Sequence, residues 1–332
     1  MGETLKHIIC QACGAREAKR GEVLQSLWSG YGEIVRYRLL GGPVESVIVK
    51  HVSFPSEVDH PRGWHNDHAH QRKVRSYEVE MAWYHDWSSR CDDSCRVPRC
   101  YASQTIGADH LMILEDLDAA GYPARRAQLS PQQAIPCLNW LANLHATFLG
   151  DAPHGLWPIG SYWHLATRQR EWQAIEDQTL RDSASTLDQL LNRCQYQTLI
   201  HGDAKVENFC FSSDGQQVAA VDFQYTGGGC GMKDVAYFLG SCLSEQAQQH
   251  QQETLLDHYF HALGQALQRR DKPVDAEALE QEWRALFPIA QADFYRFLVG
   301  WSPGHWKIHD YSRQVAMRVV HRLQAHHYFS HN

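Results

Sequence analysis

The spacing of apolar and polar residues changes period several times along the chain, and each change predicts an element. Ala18, Val23, Leu24 and Leu27 recur at loosely helical spacing, which predicts a helix over 15–27. From Trp28 the pattern alternates past Gly30 and Gly32 to Leu40, as a hairpin strand does. After the turn at Gly41-Gly42-Pro43, Val47-Ile48-Val49-Lys50 reads as a strand ending in lysine. Residues 51–72 are rich in His, Pro, Asp and Arg and have no period, so an irregular loop is expected. Val74, Tyr77, Met81 and Tyr84 then recur three and four apart, the mark of an amphipathic helix. Val97–Tyr101 and Leu111–Leu114 predict two more strands.

The second half is helical in texture. Pro131 opens a pattern in which Leu138, Leu141, Leu144, His145 and Phe148 share a face, with His145 expected to be buried and hydrogen-bonded. Two short apolar runs, Leu199-Ile200 and Val218–Val221, bracket a polar stretch, and a return through Ser213-Asp214-Gly215 would bring Asp222 beside Asn208. Gly227-Gly228-Gly229 predicts a mobile connection to a helix that starts near Asp234, which serves there either as N-cap or as a support for the 201–208 loop. Two polar helices follow from Ser244, then an aromatic tail: Phe294, Tyr295, Phe297, Trp301, Trp306 and Tyr311. Aromatics in such a tail are more often core than ligand-facing.

Composition narrows the class. With 332 residues and 43% hydrophobic content, the chain can bury a full core and suits two lobes of one fold. A net charge of -7 without a long basic run excludes electrostatic capture of nucleic acid. No apolar stretch approaches the ~20 residues needed to span a bilayer, the start shows no charged-then-apolar leader, and Met1–Lys6 lacks the myristoylation pattern. A soluble, cytoplasmic protein without a membrane partner is expected. The ten cysteines read as reduced thiols, since Cys10-x-x-Cys13 with Cys91, Cys95 and Cys100 fits no common zinc module.

The polar stretch His201-Gly202-Asp203-Ala204-Lys205-Val206-Glu207-Asn208, followed by Val221-Asp222-Phe223, carries the chemistry. Phosphoryl transfer from ATP to a hydroxyl needs a base for the acceptor's proton and hard oxygen ligands that hold Mg²⁺ against the phosphates. Asp203 is the expected base, Asn208 and Asp222 the metal ligands, and Lys205 a cation that steadies the transferring phosphoryl group.

These words resemble the aminoglycoside/choline-kinase-like phosphotransferases, and the surrounding sequence is most similar to the ecdysteroid-kinase-like branch, over roughly residues 25–245. The resemblance implies an α+β, protein-kinase-like fold in two lobes: an amino-terminal lobe (1–114) with a small antiparallel sheet, a hinge (115–118) and a mostly helical carboxy-terminal lobe (119–332). It also implies that ATP and Mg²⁺ bind between the lobes. Gly30 and Gly32 would cover the phosphates, Lys50 would pair the α- and β-phosphates, and the backbone of Glu115, Asp116 and Leu117 would hydrogen-bond adenine. Of Glu78 and Glu80, the family wording assigns the partner of Lys50 to Glu80. Asp222-Phe223-Gln224 departs from the Asp-Phe-Gly of protein kinases.

A protein kinase is disfavoured because no Ala-Pro-Glu follows Asp222; an inert nucleotide-binding module is disfavoured because Lys50, Asp203, Asn208 and Asp222 are all present. The acceptor is expected to be a small hydroxylated molecule that is not strongly cationic, because Arg296, Lys307, Arg313, Arg318 and Arg322 outnumber Asp293 and Asp310 in the tail. Its pocket is expected between the 201–208 loop and that tail, with Trp301 or Trp306 in the wall; the rival expectation puts both tryptophans in the core.

Overall fold

A computed structural model describes residues 2–27, 30–54 and 67–330; Trp28 and residues 55–66 of the expected irregular loop lie outside the described residues. In chain order come α1 (Gly2–Cys13), β1 (Glu17–Ser26), β2 (Gly32–Leu40), β3 (Ser46–Val52) and α2 (Asp67–Ala82). Then follow β4 (Cys100–Ile106), β5 (Asp109–Glu115), α3 (Pro131–Thr147), α4 (Gln169–Gln173), α5 (Gln178–Asn192), β6 (Thr198–Ile200), β7 (Phe209–Phe211), β8 (Val218–Ala220) and β9 (Gly227–Gly229). Four helices end the chain: α6 (Met232–Cys242), α7 (Glu245–Arg269), α8 (Ala276–Trp301) and α9 (Asp310–Ser330). The chain divides into two compact units. One takes in Met1–Asp92, Arg96–Ala124 and Cys210–Gln224, the other Asp93–Cys95, Arg125–Phe209 and Tyr225–Asn332.

The first unit is built on an antiparallel sheet in the order β1-β2-β3-β5-β4. Residues 17–26 are therefore a strand and not the expected helix: β1 pairs with β2 from Glu17↔Leu40 to Ser26↔Glu33. At the sheet edge Ala18 alone of the strand is buried, so no alternation marks it in the sequence. The helix lies earlier, at α1, whose Ile9 and Cys13 join Val35, Tyr37, Val47, Val49, Leu111 and Ile113 in one apolar core. The strand expected from Val97 starts only at Cys100. α2 ends in a π-helical turn over Trp83–Trp87, which buries Trp83, Tyr84 and Trp87.

Helices make up most of the second unit. Ser130 caps α3 and forms a capping box with Gln133, and Pro131 takes the first-turn position that its missing N–H tolerates. Ile175, Leu180, Leu187, Ala292, Tyr295, Ala316 and Val320 form one core between α5, α8 and α9, and Trp163, Tyr237, Phe294, Phe297 and Leu298 form another.

The triple glycine is not the mobile connection expected. It is β9, a buried strand paired with β6 in the register Thr198↔Gly229 to Ile200↔Gly227. A Cβ on Gly227 would stand 2.2 Å from the Trp157 carbonyl oxygen, so the glycines permit backbone to pack on backbone. Among the described residues no helix is long and apolar enough to cross a membrane. No three His, Cys, Asp or Glu side chains among them gather as a metal site, Cys10 and Cys13 included.

Candidate active site

In the first unit the expected residues are drawn together by the sheet and α2. Lys50 lies on β3, between β2 and β5, where Ile34 and Met112 flank it in register. Its Nζ meets Glu80 Oε2 at 2.5 Å, both side chains being buried, and stands 3.9 Å from Asp222 Oδ1. Glu78, the rival glutamate, pairs instead with Arg75 on the exposed face of α2. Burial pushes the Glu80 carboxyl up, against the downward pull of the Lys50 ammonium.

Asp222 holds a left-handed backbone (φ 67°), which Asp tolerates better than most residues and which is worth noting near a charged cluster. Phe223 fixes it there: its ring stacks on Trp83 of the π-helical turn, centroids 4.5 Å apart and planes 14° apart, with Tyr84 edge-on. Gln224, the departure from Asp-Phe-Gly, ties this segment back to α2, its Oε1 accepting from Lys73 Nζ at 2.6 Å and Ser76 Oγ at 3.2 Å.

The 115–118 turn spends its side chains on architecture. Glu115 takes both carboxylate oxygens to Arg96 at 2.6 Å and accepts the Arg99 N–H, and buried Asp116 accepts from Arg36 Nε and Ser46 Oγ, each at 2.8 Å. The Glu115 N–H donates to Arg99 O, while the Asp116 and Leu117 carbonyls accept from Ala120 and Tyr122; the Leu117 N–H is used by none of these three bonds. Leu117 sits on Cys210 and Ala219 in a small apolar cluster.

Gly30 lies between β1 and β2 and Gly32 opens β2, its carbonyl accepting the Leu27 N–H at 2.8 Å. Gly32 is required by the sheet itself, because a Cβ there would stand 2.0 Å from His51 O; Gly30 (φ 73°) meets nothing within 4 Å.

In the second unit β6 delivers the chain into the 201–208 loop, and α6 holds it from behind. Asp234 Oδ2 accepts the His201 N–H at 2.6 Å and Oδ1 the Gly202 N–H at 2.9 Å. Asp234 also meets His145 Nε2 at 3.1 Å, while His145 Nδ1 meets Tyr259 OH at 2.7 Å. His145 is thus the buried, hydrogen-bonded histidine expected. Of the two expectations for Asp234, support of the loop is the one the structure shows: α6 starts at Met232 after Gly231 with no side-chain cap.

Within the loop, Asn208 Nδ2 donates to Asp203 O at 2.8 Å and to Asp203 Oδ2 at 3.3 Å, which leaves the amide oxygen turned from Asp203. Lys205 Nζ stands 3.4 Å from Asp203 Oδ2. Gly202 (φ 79°) allows the close approach of residues 225 and 161: a Cβ would stand 2.0 Å from Tyr225 O and 2.8 Å from Ser161 N.

A stretch with no signal in the sequence, 158–164, packs on this loop. Tyr162 N–H donates to Gly202 O at 3.1 Å, and the buried Lys233 Nζ donates to Gly160 O at 3.0 Å. Burial and then the charge of Asp203 push the hydroxyls of Tyr162 and Tyr237 up, so both stay neutral.

The aromatic tail divides. Phe294 and Phe297 are core, whereas Trp301 and Trp306 are 51% and 58% exposed, which overturns the expectation that both are core. Trp301 stacks on Phe297 (5.7 Å, 12°). Arg296, counted in the sequence as tail charge, is a buried partner of Asp293 at 2.6 Å. Lys307, counted likewise, lies over the rings of Tyr237, Phe294 and Trp306 beside the second core, a placement that no pattern along the chain signals.

The fold is kinase-like. Solved structures sharing the fold include a microcompartment-associated aminopropanol kinase (TM-score 0.53, 17% identity, covering 96% of this chain and 93% of that one). An amicoumacin kinase in complex with AMP-PNP, Ca²⁺ and Ami has a TM-score of 0.53 at 12% identity, covering 98% and 96%. A putative aminoglycoside phosphotransferase from Ralstonia eutropha has 0.51 at 13% identity, covering 96% and 94%. The chain belongs to the ecdysteroid kinase-like family, whose model matches residues 45–149 and 160–271, more than half of its length. No curated protein matches it in sequence.

Proposed function

We propose that this chain transfers the γ-phosphoryl group of ATP to a hydroxyl of a small-molecule acceptor. The observation that carries the reading is the 201–208 loop, in which Asp203 is set by Asn208 and Lys205 and the backbone is held by Asp234. The aminopropanol and amicoumacin kinases, the latter solved with AMP-PNP and Ca²⁺, share the fold and support it.

Asp203 accepts the acceptor's hydroxyl proton as the oxygen attacks the γ-phosphorus; the bond from that phosphorus to the ADP oxygen breaks and ADP departs with the electron pair. Lys50, oriented by Glu80, pairs the α- and β-phosphates, and Lys205 stabilises charge that grows on the transferring group. Leu117 N–H bonds adenine, within the turn formed with Glu115 and Asp116, and Gly30 with Gly32 lets backbone approach the phosphates.

The donor set fits Mg²⁺: Asp222 offers a carboxylate beside Lys50, and Asn208 offers the amide oxygen that its two bonds to Asp203 leave over. When bound, the metal neutralises phosphate charge. A cytoplasmic location is part of the proposal, supported by the reading of the ten cysteines as reduced thiols.

The test is a titration of a fluorescent ATP analogue with and without Mg²⁺, joined to ADP release over a panel of hydroxylated metabolites. Binding should depend on Mg²⁺ and ADP release on acceptor, and Asp203→Asn should lower turnover by ~10²-fold or more while nucleotide still binds. Equal affinity under both conditions would favour the inert module, and transfer to peptides alone a protein kinase.

A further inference from the structure

We propose that the acceptor is a hydroxylated carboxylate with an apolar body, and that Lys307 recognises its carboxylate beside the 201–208 loop. This rests on the phosphotransferase reading and deepens it. Lys307 lies in the short segment between α8 and α9, its Nζ 4.7 Å from the Tyr237 ring centroid, 5.4 Å from Trp306 and 5.8 Å from Phe294. Among the described residues no carboxylate stands within 4.0 Å of that ammonium. A cation drawn into such a place gains ring-face attraction but forgoes an ion pair, and a bound anion supplies one.

The position is contiguous with the chemistry. The Tyr237 ring lies 5.6 Å from that of Tyr162, whose N–H is bonded to Gly202 O next to Asp203. The charges of Glu207 and Asp203 reach Lys307 and raise it, yet burial outweighs them and brings the ammonium down to about 8, so an uncompensated desolvation remains at this lysine.

Ser161 gives a second, independent sign of a ligand here. It is 5% exposed, its hydroxyl has no hydrogen-bond partner among the described residues, and its backbone is held at φ 108°. A strained, non-glycine residue with an orphan hydroxyl next to Gly202 is the kind of feature that persists where a bound molecule completes it. The exposed rings of Trp301 and Trp306, joined through His305 (5.9 Å to each), offer the apolar body a flat neighbour.

The same arrangement rejects ammonium acceptors. Aromatic faces that could hold a quaternary or protonated amine are already faced by Lys307, so a cationic acceptor meets like charge before it meets a ring.

Three probes of one shape separate the possibilities: p-hydroxymethylbenzoate, benzyl alcohol and p-aminomethylbenzyl alcohol, each titrated by tryptophan quenching into the intact chain at neutral pH without nucleotide. The benzoate should bind at least about tenfold more tightly than the other two. Lys307→Gln should erase that preference and Lys307→Arg restore it; should the Gln variant fail to fold, the Arg variant and the wild-type ranking still decide. Equal affinities, tighter binding of the amine, no binding of the benzoate, or a preference surviving in Lys307→Gln overturns the proposal. Mg²⁺-dependent binding of the ATP analogue, titrated separately, tests the phosphotransferase reading: its presence without carboxylate preference removes only the Lys307 pocket, and a carboxylate preference without it supports the pocket and removes the reaction.

Discussion

At the scale of single residues, two glutamates a helical half-turn apart have opposite fates. Glu80 points inward onto Lys50 and is buried with it, while Glu78 stays on the solvated face of α2. Glu80→Ala leaves a buried ammonium without its partner and is expected to cost about 3–5 kcal/mol. Glu78→Ala should change stability by no more than about 0.5 kcal/mol. Urea unfolding of the two variants checks this, and equal losses would dissolve the Lys50–Glu80 assignment. The sequence kept both glutamates open; the family wording chose Glu80, and burial separates them. Ser161 and Lys307 were illegible for a different reason. A hydroxyl without a partner and a lysine over rings are properties of surroundings drawn from distant segments, and spacing along the chain carries no trace of them.

Elements show where period fails as a guide. β2 and β3 alternate in burial and were legible, but β1 is an edge strand with almost nothing buried and mimics a loose helix. β9 is all glycine, a composition that reads as a turn until β6 pairs with it. α6 shows how an element can serve a loop it never touches in sequence: Asp234 accepts two loop N–H groups and meets His145. Asp234→Ala strands both donors in the interior, and at about 1–3 kcal/mol each the loss is expected to reach roughly 2–6 kcal/mol. Asp234→Asn, which keeps one acceptor, should lie between. Thermal melts of the two variants test the order, and an Ala variant that melts with the wild type would show that the loop is held by something else.

Over the whole molecule, the candidate residues are divided between the two units: Lys50, Glu80 and Asp222 belong to one, Asp203, Lys205 and Asn208 to the other. The motifs were legible because each is a short word; that Cys210–Gln224 belongs with the sheet depends on contacts such as Gln224 to Lys73, 151 residues apart, which no local pattern records. Nucleotide binding stabilises whatever it binds, by about 2.7 kcal/mol at a hundredfold excess over Kd. ATP should therefore raise the melting temperature with Mg²⁺ present and do so far less without it. Asp222→Ala should weaken that difference more than Asn208→Ala, because a carboxylate gives the metal a full charge and an amide only a dipole. A shift indifferent to Mg²⁺ in the wild type would remove both residues from the metal.

The packing of β9 against the 157–160 backbone has an evolutionary consequence. Every substitution of Gly227 brings a Cβ to a place already held by the Trp157 carbonyl and the Gly160 backbone. Purifying selection should thus keep this glycine in relatives that have changed acceptor, and even in ones that have lost transfer altogether, whereas Asp203 is free to drift once turnover no longer matters. A saturation library scored for abundance and for activity in parallel would part the two: Gly227 fails both screens, Asp203 only the second. Invariance at the glycine strand would then record ancestry of a scaffold, and invariance at the aspartate the survival of a reaction.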